Sequence, residues 1–352
     1  MATTQKLVLG TWKIVYSFHS IAVLLLIAFV IVVVYLKGDS EGFLEQQKTP
    51  DDSIPHCNLF SGKWVYDNIS YPLYKENQCS FMELDFACEK FGRKDLNYQK
   101  WRWQPHDCDL PRNQWTSMLC LIESSIPSSS SSSSKSLIWK GNSIIFKATD
   151  YNATIQFYWQ WTDADILVFD SFVWWEEPKI TLLWGSFESS DAIYKEVGRS
   201  YRHYEMALNT WSDWLEININ RSRTKLFFMS LSPHHRVGED WGRDKGRNCY
   251  SETEPVLKEG YRGSTTDGRM MQIEESAIHE LETRGLKLEF LNITQLADYR
   301  KDAHPSVYKK FWMNLTEEQL ARPESYSDCV HWCLPGVPDV WNVILFSYIM
   351  HS

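Results

Sequence analysis

The distribution of apolar positions divides the chain into distinct regimes. Residues 15–36 form an almost unbroken apolar run, and from Ile21 to Leu36 the Tyr35 hydroxyl is the lone polar side-chain group. A run of about 20 such residues is long enough to span a bilayer as a helix. A cleavable leader would have a shorter apolar core and a small-residue cleavage site. This run ends instead in Val32-Val-Val-Tyr-Leu-Lys37, so it is read as an uncleaved transmembrane anchor. Residues 37–55 are polar, acidic and Pro-containing and read as a stem. Residues 56–111 form a small Cys-rich module with Gly62, Gly92 and several prolines as turn signals. Within it Trp101 and Trp103 alternate around Arg102, which predicts an extended segment. Ser124 to Ser136 is a serine-rich tract and predicts an exposed loop.

From Leu137 onward the pattern becomes one of strands alternating with helices. Asp165–Phe169, Thr224–Met229 and Leu288–Asn292 have the continuous apolar character of buried strands. Tyr201–Asn218 and Arg269–Arg284 have helical spacing. The alternation predicts a mainly parallel sheet covered on both faces, with its site beyond the carboxyl ends of the strands. Ser230-Leu-Ser232-Pro-His-His235 follows one strand in that position.

Charge and cysteine content add a compartment. Lys6, Lys13 and the free amine precede the apolar run, whereas Lys37 is followed by Asp39 and Glu41. That asymmetry predicts a cytosolic tail at 1–14 and a luminal chain beyond the anchor. All eight cysteines lie on the luminal side: Cys57, Cys79, Cys88, Cys108, Cys120, Cys249, Cys329 and Cys333. An even number in an oxidising lumen predicts disulfides, with the pairing left open. Five Asn-x-Ser/Thr sites, at Asn68, Asn152, Asn220, Asn292 and Asn314, are luminal under the same topology. Such sites arise by chance, but here they agree with the cysteines. The net charge of −9 excludes nucleic-acid binding through phosphates. The 17 tryptophans suit packing on sugar rings, though for any single one a core position is the better reading.

Chemistry concentrates near the C-terminus, in Asp328-Cys-Val-His331-Trp-Cys333. A general base must be poised near neutral pH, which suits histidine, and a carboxylate can fix its tautomer and stabilise the imidazolium. Two intervening residues let one turn supply both groups. Cys329, His331 and Cys333 also admit a metal reading. The lumen favours disulfides and the spacing matches no common zinc pattern, so no metal is expected.

Several segments resemble the plant trichome-birefringence-like family. They are Cys57–Asp67, Tyr71-Pro-Leu-Tyr74, Gly92-Arg-Lys-Asp95, Tyr98–Pro111, Phe228–Pro233, Cys249-Tyr-Ser-Glu-Thr-Glu-Pro255, Phe290–Leu296, Tyr299–His304 and Asp328–Asp339. Within that family the chain looks most similar to the xylan O-acetyltransferases. The resemblance implies an α/β, SGNH (GDSL-esterase-like) three-layer parallel-sheet domain at 112–352, on a single-pass type II protein of the Golgi membrane. It implies transfer of acetyl groups to O-2 or O-3 of xylosyl residues of xylan. No cofactor is implied beyond an acetyl donor such as acetyl-CoA. It also implies a mechanism: a serine in a Gly-Asp-Ser turn takes the acetyl group, His331 activates the acceptor hydroxyl, and Asp328 orients His331.

Measured against that family pattern, three departures stand out. The nucleophile block, an apolar strand followed by Gly-Asp-Ser, belongs between Leu-Pro-Arg and Asn-Gln-Trp. Here Leu110-Pro-Arg112 runs directly into Asn113-Gln-Trp115. Gly38-Asp-Ser40 matches the triplet literally but sits against the membrane anchor without its strand, and is read as a decoy. The chain also reaches Asp165 soon after Phe157-Tyr-Trp159, where the family has a longer segment. Finally, Asp170 replaces an Asn expected to donate to an oxyanion; a carboxylate accepts and cannot do so. Ser230 and Ser232 belong to the family's own Met-Ser-x-Ser-Pro element, and Ser117 has no activating neighbour in the sequence. Loss of a central strand is also expected to damage the sheet. Three readings follow: an acetyltransferase lineage whose serine is absent from this form, a catalytically inactive glycan-binding or scaffolding homologue, and an acetyl esterase that needs the same serine.

Overall fold

A computed structural model describes residues 58–79, 82–107, 110, 135–140, 143–149, 153–157, 164–176, 179–184, 190 and 192–351. The anchor at 15–36, the stem at 37–55, Gly38–Ser40, Cys57, Cys108, the 112/113 junction, Ser117, Cys120 and Asn152 lie outside the described residues. Among the described residues no helix is long and apolar enough to cross a membrane.

In chain order, β1 (Gly62–Tyr66) pairs antiparallel with β2 (Trp101–Pro105). Then β3 (Lys135–Lys140), β4 (Ser143–Ala148) and β5 (Ala153–Phe157) form an antiparallel meander. β6 (Ile166–Phe169) is followed by an antiparallel hairpin of β7 (Lys179–Trp184) and β8 (Ile193–Gly198). Next come α1 (Tyr201–Asn218), β9 (Lys225–Met229), α2 (Gly268–Thr283) and β10 (Glu289–Leu291). α3 (Thr294–Asp298), α4 (Glu317–Leu320) and α5 (Val337–His351) complete the order. β3, β4 and β5 make one compact unit, and the other described elements make a second.

β9 is the axis of the second unit. Its Lys225-Leu-Phe-Phe-Met229 has β10 on one side and β6 on the other, both parallel. The strand period of two sends its side chains to opposite faces. Leu226 and Phe228 enter a core with Leu167, Tyr204, Leu208, Leu215, Met270, Ile278 and Leu281. Phe227 enters another with Trp103, Tyr299, Val340 and Ile344. Burying each of these large apolar side chains stabilises by roughly 1.5–3 kcal/mol. Both faces of β9 are therefore covered, as a parallel strand requires.

The helices on the first face follow from sequence spacing. Tyr204, Leu208, Ser212 and Leu215 form the buried stripe of α1, and Met270, Glu274, Ala277, Ile278 and Leu281 that of α2. Asp267 caps α2 by accepting from the Arg269 and Met270 amides. Gly285 ends it at φ +81°, with Gly285 N–H bonded to Glu282 and Leu286 N–H to Leu281.

The structure corrects part of the expected organisation. The α/β pattern does not begin at Leu137, because residues 135–157 are antiparallel. Lys135 and Ser136, assigned to the serine-rich loop, open β3. Only two residues, Gly141-Asn142, separate β3 from β4, a link too short for anything but an antiparallel return. The hairpin of β7 and β8 and the C-terminal helix α5 were likewise not expected. The sheet damage expected from a missing strand is not seen between these two strands, since β6 pairs directly with β9 from Ile166↔Lys225 to Phe169↔Phe228. On the face of β6 opposite Leu167, Ile166 and Val168 are each 39% exposed.

Glu274 provides a test of the α1–α2 interface. It is fully buried, its Oε1 accepts from the Tyr204 hydroxyl at 2.6 Å, and burial pushes its pKa up to about 8. The folded protein thus keeps a proton that the unfolded chain gives up above the ordinary value of 4.5. Stability is expected to decline as pH rises from about 4.5 through about 8. Glu274→Gln, neutral and of the same shape, should flatten that decline in urea melts taken across the interval.

Candidate functional site

Asp328 is held by backbone pairing before its side chain does anything. Its amide and carbonyl exchange hydrogen bonds with Ser306, at 3.0 and 2.9 Å, in an isolated antiparallel bridge. Its Oδ1 accepts from the amides of Val330 and His331, closing an Asx-type turn. Its Oδ2 then receives His331 Nδ1–H at 2.8 Å and Lys309 Nζ at 3.0 Å. The carboxylate fixes the Nδ1–H tautomer, so His331 Nε2 is left as the basic nitrogen. The Asp328 side chain is 5% exposed and that of His331 52%, so the buried group orients and the exposed group faces solvent.

The electrostatics agree with that division. Burial alone would raise the Asp328 carboxyl, but the bond and charge of His331, with Lys309 beside it, hold it well below the carboxylate range. The hydrogen bond to Asp328 raises His331 above its ordinary value, against partial desolvation. A group near His331 Nε2 thus meets a stronger base than free imidazole.

The turn itself is clamped from several directions. Cys333 N–H bonds to Ala303 O at 2.9 Å, and Leu334 N–H to Phe86 O at 3.0 Å. Disulfides join Cys88 to Cys333 and Cys249 to Cys329. Cys79 is also disulfide-bonded. With Cys329 and Cys333 both oxidised, neither offers a thiolate to a metal. Trp332 stacks on His304 with ring centroids 4.2 Å apart and donates Nε1–H to Ser232 Oγ at 2.8 Å. Phe86, from the Cys-rich module, packs edge-on to the His331 ring at 6.1 Å. That module is anchored by Arg93, which donates to the carbonyls of His304 and Asp302 and stacks on Tyr98. The fully buried Arg300–Asp302 pair adds a bond from Arg300 to Tyr98 O.

A buried histidine pair lies behind the turn. His304 Nδ1 is 2.6 Å from His331 O, His304 Nε2 is 2.7 Å from His235 Nδ1, and His235 Nε2 is 2.7 Å from Asp298 O. Three such contacts require three N–H groups. Burial pushes His235 down to about 4 and His304 well below its ordinary value, so near neutrality the two rings share only two. Two N–H groups serve two of the three contacts, so either one carbonyl lacks its donor or the 2.7 Å contact between the two rings carries no proton.

No serine in the described part of the chain completes a triad. Thr294 gives its hydroxyl proton to Leu231 O, so Ser230 donates its own to Thr294 Oγ1 and is fully buried. Ser232 accepts from Trp332. Among the described residues no serine hydroxyl is hydrogen-bonded to His331. Asp170 follows directly on β6. Of the glycosylation sites, Asn68, Asn220 and Asn314 are exposed, whereas Asn292 is half-buried with its Oδ1 unpartnered. Sequence reasoning missed Phe86, Lys309, Ser306 and the His235–His304 pair. Both histidines sit in or beside segments quoted for the family resemblance, but nothing local marks them as partners.

The comparisons with known proteins define the class. Residues 109–161 and 160–348 match the PC-Esterase family, described as the GDSL/SGNH-like acyl-esterase family found in Pmr5 and Cas1p, and residues 55–109 match the PMR5 N-terminal domain. The chain belongs to this SGNH-like acyl-esterase family, in its trichome-birefringence-like branch. Trichome birefringence-like 34 of Arabidopsis thaliana is 44% identical, covering 99% of both chains. Xylan O-acetyltransferases 14 and 13 of Oryza sativa subsp. japonica are 40% and 41% identical, covering 84% and 86% of this chain and 77% and 71% of theirs. The Arabidopsis alignment runs over 414 positions against the 352 residues of this chain. It therefore contains at least 62 positions where the relative has a residue and this chain has none. The two family matches meet at 160–161, where this chain passes quickly from Trp159 to Asp165.

The coupling of Asp328 and His331 is measurable. Asp328→Asn should lower the His331 titration midpoint to the ordinary 6.5 or below, with Lys309 now unopposed, as read by NMR of the imidazole. In the wild type the pair's stabilisation is lost as pH rises through the raised His331 value. It is also lost as pH falls through the lowered Asp328 value, and between the two ordinary values it is fully present.

Proposed function

We propose that this protein is a xylan O-acetyltransferase by lineage, and that the present chain carries the base half of the centre without its acyl-accepting serine. The observation behind this is the 2.8 Å contact of Asp328 Oδ2 with His331 Nδ1, which leaves Nε2 basic and solvent-facing. The names of the rice relatives support the substrate, and the direct run of Leu110-Pro-Arg112 into Asn113-Gln-Trp115, in a chain lacking at least 62 positions aligned in the Arabidopsis relative, supports the missing serine. In the completed form His331 Nε2 takes the serine hydroxyl proton as the serine oxygen attacks the acetyl carbonyl of the donor, and gives it to the donor's leaving group as that group departs and the ester forms. His331 Nε2 then takes the proton of a xylosyl O-2 or O-3 hydroxyl as that oxygen attacks the ester. The tetrahedral intermediate collapses, the bond to serine breaks, and the proton passes to the departing serine oxygen. Asp328 stabilises the imidazolium throughout. The protein works in the Golgi lumen, held by the anchor at 15–36, with an acetyl donor and xylan as its partners.

A second reading is favoured by the missing serine: a glycan-binding or scaffolding homologue that performs no transfer. Removing a triad nucleophile costs on the order of 10⁶-fold in kcat, so this form should give no transfer above background with xylo-oligosaccharides and an acetyl donor. Restoring a strand and Gly-Asp-Ser turn between Arg112 and Asn113 should give transfer that His331→Ala abolishes. Retained oligosaccharide binding with no transfer in the restored form would instead establish the scaffold.

A further inference from the structure

A cavity of about 260 Å³ opens among Arg243, Asp244, Arg247, Asn248, Tyr250, Ser251 and Glu252. It lies on the loop that carries Cys249, and the Cys249–Cys329 disulfide, with Cα atoms 5.6 Å apart, ties that loop to the turn bearing Asp328 and His331. Chain geometry alone then places the Tyr250 Cα within about 17 Å of the His331 Cα. Further bonds make the tie rigid. Asn248 donates to Glu324 O at 2.9 Å, Arg247 pairs with the Glu324 carboxylate, and His235 accepts the Cys249 amide while donating its own to Cys329 O.

The lining fits a neutral hydroxylated ligand. Arg243 is held by Glu252 through Nε at 2.6 Å and Nη2 at 3.1 Å, and Lys301 reaches the same carboxylate. Arg247 is neutralised by Glu324, and Asp244 adds a further negative charge. The two guanidinium groups therefore keep unused N–H donors without presenting the net positive charge that an anion would need. Tyr250 is half-buried, and among the described residues it has no ring–ring or cation–π partner and its hydroxyl makes no hydrogen bond. A free aromatic face beside fixed donors is the usual makeup of a site that takes an apolar ring face with a polar rim. Ser251 holds φ +63°, a left-handed conformation that costs energy for a residue with a side chain. Cys249 and Glu252 are both tied down, and the loop keeps the strain between them.

We infer that this cavity is a subsite for a pentopyranosyl residue of the acceptor polysaccharide, flanking the residue that His331 acts on, with Tyr250 as its stacking face. The inference rests on the reading of xylan as the acceptor. A polymer extends beyond its reacting unit, so a rigidly connected subsite would register the chain against Nε2 and lower the cost of orienting the hydroxyl.

The test uses the full chain in detergent with xylohexaose as the probe. Titration calorimetry should show hexaose binding, weakened about tenfold by Tyr250→Ala and nearly unchanged by Tyr250→Phe, which keeps the ring. Hydroxyl-radical footprinting of the wild type supplies a readout independent of any variant: hexaose should protect Tyr250 from oxidation. Hexaose binding with Tyr250 unprotected and affinity unaltered in Tyr250→Ala would overturn the subsite while leaving the xylan reading intact. No hexaose binding in the wild type would overturn both. Protection of Tyr250 by acetyl-CoA or inorganic phosphate and not by hexaose would overturn the sugar assignment in favour of an anion site.

Discussion

The residues from Asp298 to Ser306 hold the turn that carries His331, and the rest of the described site depends on that grip. The turn has little regular structure of its own between the 3₁₀ turn at Pro323–Ser325 and α5. Its position comes from Ser306 pairing with Asp328, Ala303 accepting from Cys333, and His304 reaching His331 O. The gripping segment is itself immobilised, because Arg300 pairs through Nε and Nη2 with the Asp302 carboxylate, both side chains fully buried. Removing either would leave an uncompensated buried charge, which is far more costly than the net worth of the pair. Precision at an exposed histidine is thus obtained from an interior that never touches substrate.

This arrangement changes the meaning of the Cys-rich module. It is not an appendage, since Phe86 forms a wall of the His331 ring and Arg93 caps the carbonyls of the gripping segment. Trp64 donates Nε1–H to Leu296 O at 2.7 Å, and its indole lies under the Arg300 guanidinium at 4.3 Å. Gly62 permits the close β1–β2 approach behind it, because a Cβ there would meet Gln104 O at 2.4 Å. The Cys88–Cys333 disulfide spans 245 residues and so constrains a very long loop of the unfolded chain. Segment 82–107 and the turn are thus joined by a disulfide, hydrogen bonds and a ring contact around His331.

What the sequence made legible, and what it hid, follows the range of the interactions involved. β6, β9, β10, α1 and α2 were readable because dense apolar runs and 3.6-residue spacing are local signals. The Asp328–His331 contact was readable because its partners are three residues apart. The grip was not, since its contacts join residues 27 apart, as for His304 and His331, or 211 apart, as for Arg93 and His304. The meander at 135–157 was hidden differently. Alternating β-branched and aromatic residues such as Ile144, Phe146, Ile155 and Phe157 are strand-formers, but the adjacent serine tract drew the boundary of order too late. The tryptophans followed their ordinary tendency, with Trp64, Trp103 and Trp332 buried, while Trp312 is 73% exposed.

The two faces of the edge strand β6 differ in burial. Leu167 is buried against α1 and α2, but Ile166 and Val168 point the other way and remain 39% exposed. A strand in a parallel sheet has both faces covered when the layers are complete. The uncovered face does not disrupt β9, whose two cores close over Leu226, Phe227 and Phe228 without it. The core on β9 and the grip on His331 thus stand apart from the exposed face of β6. That separation lets a chain lacking at least 62 positions aligned in the Arabidopsis relative still bring Asp328 and His331 within hydrogen-bonding distance.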